Sequence, residues 1–122
     1  MLDTHIAVAL YEGRTAGLGM AARRAIDRET VTISPAVLLE IELLHEIGRL
    51  RVGATPISIR LDADLSIRVA TERFSDVAIQ ALALGFTRDP FDRLIVAHAA
   101  LTQSALITQD SLIRYRYPKA MS

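Results

Sequence analysis

Four acidic residues are the part of this sequence best suited to chemistry, because their positions in the predicted elements aim them at one place. They are Asp3, Glu40, Asp92 and Asp110. A cluster of like charges is unstable without a counter-ion, and hard divalent cations such as Mg²⁺ or Mn²⁺ prefer carboxylate oxygen and water as ligands. The chain contains no cysteine, so a thiolate nucleophile is excluded and any metal must be bound through oxygen or histidine nitrogen. The acids therefore indicate a Mg²⁺ or Mn²⁺ site.

Two of these acids follow predicted strands. Asp3 ends the first short strand, and Asp110 comes after the strand predicted over residues 105–108. Ligands of parallel α/β sheets bind in the crevice beyond the carboxyl ends of the strands, so both acids are expected on that edge. Each also has an ordinary structural interpretation, because Asp3 can cap the following turn and Asp110 can be a turn residue before Ser111. Considered one at a time, each of these two acids is better explained by its structural role than by metal binding.

The other two acids lie inside predicted helices among apolar neighbours. The residues three and four positions on either side of Glu40, and the one seven positions after it, are Ala36, Val37, Leu43, Leu44 and Ile47. A carboxylate on such a face is rare unless it is paired, hydrogen-bonded or bound to a metal. Asp92 has similar neighbours, but it lies three residues after Asp89, the predicted N-cap, and can also reach back in a capping role. The helix N-terminus is expected to lower the pKa of Asp92 and keep this residue ionised.

The elements that must position these acids alternate between helices and strands. Helices are predicted over residues 6–10, 18–28, 35–47, 75–84 and 90–103, and strands over 31–33, 67–71 and 105–108. Thr4, Ser34 and Asp89 are the expected N-caps of three of the helices. Residues 49–58 are expected to form a loop or a broken segment, and residues 59–74 a short helix followed by the strand near 67–71. Alternating strands and helices are typical of parallel βα units, which predicts a three-layer α/β domain.

The composition fits one globular domain of 122 residues. Hydrophobic residues make up 51% of the chain, which excludes a disordered protein. The longest stretch without a charged residue, 94–109, is too short and too polar to cross a bilayer, and no signal peptide is predicted, so we expect a cytoplasmic protein. Fourteen basic residues balance fourteen acidic ones, so any binding of nucleic acid must depend on local contacts rather than on bulk charge.

The sequence resembles PIN-domain ribonucleases, and specifically the toxins of VapBC-type toxin–antitoxin pairs. The opening L-D-T-H at 2–5 is similar to the first acid motif of that family, and residues 34–50 are similar to its second acid helix. The most specific match is R-D-P-F-D-R-L at 88–94, followed by an alanine-rich helix, and L-I-T-Q-D at 106–110 resembles the final strand and its acid. Two departures are that only two residues precede the first acid and that residues 51–74 match poorly.

The resemblance implies a PIN fold over residues 1–122, with a central, mostly parallel sheet flanked by helices and an acidic pocket for one or two Mg²⁺ or Mn²⁺ ions. Carried over by position, the catalytic and metal-binding residues are Asp3, Glu40, Asp92 and Asp110, with Asp89 as a further candidate and Thr4 and Thr108 as supporting hydroxyls. The family also implies a homodimer, a cognate small antitoxin protein, and an RNA substrate whose cleavage inhibits translation and growth.

The resulting hypothesis is a metal-dependent endoribonuclease in which the acids hold the ions and one ion activates a water for attack on the phosphodiester. The alternative is a non-catalytic α/β binding or signalling module, either a PIN-like binder of RNA or of a partner, or a receiver-like domain. A receiver-like domain requires adjacent acids after the first strand and a lysine at the end of a late strand. The only lysine, Lys119, lies in a segment predicted to be a tail.

Arg93 and the histidines carry structural expectations. Arg93 is expected to form an ion pair with Asp89 one turn back rather than to contact RNA phosphate. His5 is expected to pack or to form a hydrogen bond at the start of its helix, and His98 is expected in or near the core. The histidines show no pair at the spacing typical of zinc sites.

Overall fold

A short parallel sheet forms the centre of the computed structural model, which describes residues 1–122. Its strands are β1 (Thr32–Ile33), β2 (Arg68–Val69), β3 (Leu106–Ile107) and β4 (Ala120–Met121). Strand β1 pairs with β2 and β3 pairs with β4, in parallel in both cases. The two pairs become one sheet only through the residues that open the chain.

Leu2 occupies the centre of this sheet. It forms parallel bridges with Ile33 on one side and Ile107 on the other, so the strand order is β2–β1–Leu2–β3–β4. The Leu2 amide donates to the carbonyl oxygen of Thr32 at 3.0 Å, and the Asp3 amide donates to that of Ile107 at 3.1 Å. The central strand is therefore very short but paired on both sides, and it ends directly at the first acid.

Seven helices flank the sheet. They are α1 (Thr4–Tyr11), α2 (Met20–Arg28), α3 (Pro35–Glu46), α4 (Ala54–Leu65), α5 (Phe74–Ala81), α6 (Pro90–Leu101) and α7 (Ser111–Arg116). None of them has both the length and the apolar character that a bilayer crossing demands. The expected α/β class, with parallel strands between helices, is confirmed.

Side-chain caps start four of the helices. Asp3 caps α1 in place of the expected Thr4, and Ser34 and Asp89 cap α3 and α6 as expected. Asp110 caps α7. Each cap side chain accepts a hydrogen bond from a backbone N–H of the first turn, which has no partner within the helix. Three of the four caps are the acids that the sequence singled out.

The expectation of a loop over residues 49–58 was wrong in its second half, because α4 begins at Ala54. Pro56 lies in the first turn of this helix, where its missing N–H breaks no hydrogen bond. Ile57 and Leu61, one turn apart, are buried, while the intervening Ile59 and Arg60 are exposed. The burial of one stripe of α4 explains the helix better than local sequence preference does.

The C-terminal elements were also absent from the sequence prediction. Helix α7 and strand β4 occupy the segment that was expected to be a tail. Strand β4 is fixed by two backbone hydrogen bonds from its neighbour: Leu106 N–H to Lys119 O at 3.0 Å and Thr108 N–H to Met121 O at 2.8 Å. A two-residue strand has too little periodicity to be detected from sequence, so only the pairing partner reveals it.

His98 links three parts of the fold and is almost completely buried, with 1% of its surface exposed. Its Nδ1 lies 3.0 Å from the hydroxyl oxygen of Ser34, the cap of α3. Its Nε2 lies 2.8 Å from a carboxylate oxygen of Glu72, just before α5. The expectation that His98 belongs to the core is confirmed, and its two ring nitrogens hold α3, α6 and the start of α5 together.

Replacing His98 by alanine is expected to lower the free energy of unfolding by about 2–4 kcal/mol, because a buried volume is emptied and two buried hydrogen bonds are lost. Urea unfolding followed by circular dichroism measures the change. His45→Ala is the matched control, since His45 is exposed, and it should cost less than about 1 kcal/mol. Equal losses in the two variants would contradict the role of His98.

Candidate active site

An acidic pocket of about 310 Å³ opens at the carboxyl edge of the sheet. Its lining residues are Asp3, Thr4, His5, Glu40, Asp89, Asp92, Gln109, Asp110 and Ile113. The structure thus brings together all five acids that the sequence singled out, although they are spread from residue 3 to residue 110. Ile113 is the only apolar residue of the wall.

The two strand-end acids lie side by side because the strands that carry them are neighbours. Asp3 directly follows Leu2, and Asp110 follows β3, which is paired to Leu2. Both are also N-caps: Asp3 Oδ1 accepts from the Ile6 amide at 2.9 Å, and Asp110 Oδ1 accepts from the Ile113 amide at 2.9 Å. Asp3 and Asp110 therefore each cap a helix and line the pocket at the same time.

The remaining acids come from two helices. Asp89 caps α6, and its Oδ1 accepts from the amides of Phe91 at 2.9 Å and Asp92 at 3.2 Å. The Asp89 amide is bonded to the hydroxyl of Thr87, so the capping role considered for Asp92 was wrong. The Asp92 carboxylate accepts no hydrogen bond from the protein. Both of its oxygens are therefore free for a ligand in the pocket.

Glu40 enters the pocket from the middle of α3. It is half-buried rather than in the core, since Leu43 and Ile47 on the same face are exposed. The hydroxyl of Thr4 donates to its Oε1, which leaves Oε2 without a protein donor. The chain thus fixes one oxygen of the Glu40 carboxylate and leaves the other available.

A second threonine fixes Asp3 in the same way. The hydroxyl of Thr108, at the end of β3, donates to Asp3 Oδ2, and the same hydroxyl oxygen accepts from the amide of Asp110 at 3.1 Å. Thr4 and Thr108 are both fully enclosed by the protein. The two hydroxyls that the resemblance placed near the pocket are therefore bonded directly to its acids.

Burial and mutual repulsion raise the pKa values of three of the acids. For Asp92 burial is the largest cause, followed by the charges of Asp89 and Glu40, and its pKa is raised to about 6. Burial also raises the pKa of Glu40 and of Asp3, although the hydrogen bonds from Thr4 and Thr108 oppose these shifts. The expectation that the helix N-terminus lowers the pKa of Asp92 was wrong, because burial and the neighbouring charges outweigh the helix dipole.

The pocket fits a hydrated divalent cation rather than one enclosed by protein ligands. No three Asp, Glu, His or Cys side chains are arranged to hold a single ion directly. Mg²⁺ keeps several of its waters and takes one or two carboxylates. Free carboxylate oxygens remain on Asp92, Glu40, Asp89 and Asp110. This donor set, all oxygen and with excess negative charge, suits Mg²⁺ or Mn²⁺.

Two other polar residues of the pocket were not among the expected site residues. His5 was expected to pack or to form a hydrogen bond, but it is exposed on the pocket wall and has no hydrogen-bond partner in the protein. Gln109 lines the pocket next to Asp110, and its side-chain amide donates to the carbonyl oxygen of Gly17 at 2.9 Å. The one signal that could have found them was their position within two residues of Asp3 or Asp110 in the chain.

Arg93 is structural, but its partner differs from the expected one. Its guanidinium donates to the carbonyl oxygen of Ala81 at 3.0 and 3.3 Å, and to that of Leu82 at 3.5 Å, rather than to Asp89. These carbonyls lie at the end of α5, where no amide of the helix donates to them, and the carbonyl of Ala81 also accepts from the Leu84 amide at 3.1 Å. The predicted ion pair was wrong because the open helix end competes successfully for the guanidinium. Asp89 thereby keeps its free oxygen for the pocket.

The chain belongs to the PIN domain family, whose match extends over residues 1–117. No curated protein matches the sequence. The fold is similar to that in the crystal structure of VapBC2 from Rickettsia felis bound to a DNA fragment from their promoter, with a TM-score of 0.64 and 20% identity. That likeness covers 99% of this chain and 94% of the other, so it extends over the whole fold. The resemblance to PIN domains inferred from the motifs is confirmed.

Removing one charge from the pocket should stabilise the metal-free protein. The folded-state pKa of Asp92, about 6, lies above its ordinary 3.8, so the folded state binds this proton more tightly than the unfolded state does. The stability of the wild type should therefore rise as the pH falls from about 6 to about 4, and Asp92→Asn should lack this part of the rise while melting higher at pH 7. Differential scanning calorimetry in EDTA at several pH values measures both effects.

Asp64→Asn, in the exposed last turn of α4, is the control for this experiment. We expect it to change the melting temperature little, because Asp64 makes only an exposed ion pair with Arg60. A lower melting temperature for Asp92→Asn than for wild type at pH 7 would contradict the charge repulsion described here.

Proposed function

We propose that the chain, a single PIN domain over residues 1–122, is a metal-dependent endoribonuclease and the toxin of a type II toxin–antitoxin pair. It cleaves cellular RNA and so inhibits translation and growth. The observation that carries this proposal is the convergence of five carboxylates at the carboxyl edge of a parallel sheet. Membership of the PIN family and the likeness in fold to VapBC2 support it.

Asp3, Glu40, Asp92 and Asp110 would hold one or two Mg²⁺ or Mn²⁺ ions, with Asp89 as an additional ligand. When bound, such an ion would lower the pKa of an attacking water and would place positive charge opposite the phosphate. The free oxygens of Asp92 and Glu40 make these two residues the most available ligands. Glu40 or Asp110 also serves to orient the attacking water, since each keeps one oxygen without a protein donor.

The threonines determine how firmly the acids are positioned. Thr4 donates to one oxygen of Glu40, whereas Asp3 is held at both oxygens, by Thr108 at Oδ2 and by the Ile6 amide at Oδ1. A ligand that is already oriented loses less conformational freedom when it binds a cation or a water. Thr4 and Thr108 therefore act as positioning residues, and the acids they hold contact the reacting groups.

The proposal includes a small antitoxin protein as the partner that holds the enzyme inactive, a homodimer as the working state, and the cytoplasm as the compartment. The VapBC2 pair of similar fold was solved bound to a promoter DNA fragment, which supports a toxin–antitoxin role. An inhibitory partner is also reasonable on chemical grounds, because an exposed RNA-cleaving pocket would otherwise damage the cell that makes it.

Asp92→Asn and Asp3→Asn are each expected to lower the rate of RNA cleavage by at least about 100-fold, because each removes a carboxylate on which cation binding depends. End-labelled total RNA and transfer RNA, incubated with purified, antitoxin-free protein in Mg²⁺, Mn²⁺ or EDTA, measure the cleavage. Asp64→Asn is the matched control and should cut at the wild-type rate.

Undiminished cleavage by Asp92→Asn, or cleavage in EDTA, would contradict the proposed metal site. If the folded wild-type protein fails to cut RNA both in Mg²⁺ and in Mn²⁺, the non-catalytic binding module is the better interpretation. Circular dichroism of each variant confirms that its fold is intact before the rates are compared.

Thr108→Val is expected to slow cleavage by about 10- to 100-fold while leaving the protein folded. Valine has nearly the volume of threonine but cannot donate to Asp3, so that carboxylate loses its orientation. Rates at saturating RNA, measured over a range of Mg²⁺ concentrations, should show a weaker apparent affinity for the metal. Thr102→Val is the control, because its hydroxyl bonds only the carbonyls of α6 and Ser104. Equal rates for the two variants would show that the Thr108 hydroxyl has no positioning role.

A further inference from the structure

A second groove adjoins the acidic pocket and shares part of its wall. This groove, with a volume of about 620 Å³, lies between α1 and the loop that follows it, residues 12–19. His5 and Gln109 line both the groove and the pocket, so the two lie side by side. A strand that crosses the acidic pocket can therefore extend into this groove.

The residues that line the groove carry hydrogen-bond donors that the protein itself does not use. The backbone amides of Thr15, Ala16 and Gly17 donate to no protein acceptor, and all three residues are exposed. Arg14 also lines the groove and is ion-paired only through Nε, which lies 2.7 Å from a carboxylate oxygen of Glu12. The two terminal nitrogens of its guanidinium remain free. Phosphate oxygens commonly accept hydrogen bonds from successive backbone amides and from guanidinium groups.

The loop that carries these amides is held in place. The Gln109 side chain donates to Gly17 O at 2.9 Å, and Arg23 donates to Thr15 O at 2.8 Å and to Leu18 O at 3.1 Å. A Cβ at residue 17 would lie 2.6 Å from Gln109 Nε2, so glycine is needed for this contact. Because the carbonyls of Thr15, Gly17 and Leu18 accept these hydrogen bonds, the backbone of the loop is held in place.

We propose that this groove binds the sugar–phosphate backbone of the RNA strand next to the bond that is cut. The inference rests on the function proposed above, which supplies the strand. Five carboxylates in the pocket repel RNA, and a net charge of zero provides no general attraction, so the strand must be held by local donors. The groove supplies such donors directly beside the pocket, and Arg14 and the loop amides contact phosphates without reading the bases.

Arg14→Gln is the variant that tests this inference, and Arg60→Gln is its matched control. The two arginine side chains are 65% and 67% exposed, and each is paired through Nε to one carboxylate, at 2.7 and 3.0 Å. Arg60 lines neither the pocket nor the groove. Both changes lie on the surface, and each removes one charge while leaving the fold intact.

Binding of a fluorescein-labelled twelve-nucleotide single-stranded RNA, followed by anisotropy in EDTA, measures the contact without cleavage. We expect Arg14→Gln to raise Kd about 5- to 10-fold and to reduce the slope of log K against log salt by about 0.7, the value for one lost phosphate contact on a single strand. A DNA strand of the same sequence should show the same ratio, since the contact is to phosphate. In cleavage assays the loss should lie in KM rather than in kcat.

Equal Kd values for Arg14→Gln and Arg60→Gln would overturn the proposal that the groove binds RNA. Cleavage by the wild type in Mg²⁺ would in that case still support the nuclease proposal. A third outcome is that the wild type binds RNA, that Arg14→Gln weakens this binding, and that neither metal supports cleavage. The proposal that the groove binds RNA would then hold, and the nuclease proposal would fail. If the wild type neither binds nor cuts RNA, both fail.

Discussion

Repulsion among five carboxylates confined to one pocket is the constraint on which the rest of this structure depends. Burial and the neighbouring charges raise the pKa values of Asp3, Glu40 and Asp92. The protein offsets part of this cost with hydroxyl donors and with the N-termini of α1, α6 and α7, which begin at the pocket wall. The rest of the charge is left for a cation to neutralise. A fold that keeps such a pocket trades stability for the capacity to bind a ligand.

The same residues solve the structural and the chemical problem. Asp3, Asp89 and Asp110 each use one oxygen to start a helix, which fixes the carboxylate and leaves further acceptor capacity towards the pocket. Leu2, by pairing with both neighbouring strands, determines that Asp3 and Asp110 emerge side by side. The groove beside α1 extends this logic, because Gln109 joins the loop at Gly17 to the edge of the sheet that carries the acids.

Much of this architecture is predictable from local sequence, because Ser34-Pro35 and Asp89-Pro90 are strong helix starts and the alternation of elements indicates a parallel sheet. The placement of the acids at one edge follows from the same alternation. The start of helix α4, at Ala54, and strand β4 depend on tertiary burial and pairing, which no local pattern records. The raised pKa of Asp92 and the real partner of Arg93 depend on residues distant in sequence, so they too required the structure.

The most direct test of the central claim is the binding of Mn²⁺ to metal-free protein, followed through the electron paramagnetic resonance signal of the free ion. We expect one or two ions to bind per chain. We expect Glu40→Gln to weaken this binding by at least about 10-fold, because it removes the negative charge of a carboxylate whose Oε2 has no donor in the protein. Failure of the wild type to bind Mn²⁺, or equal binding by the variant, would show that the acidic pocket is not a metal site.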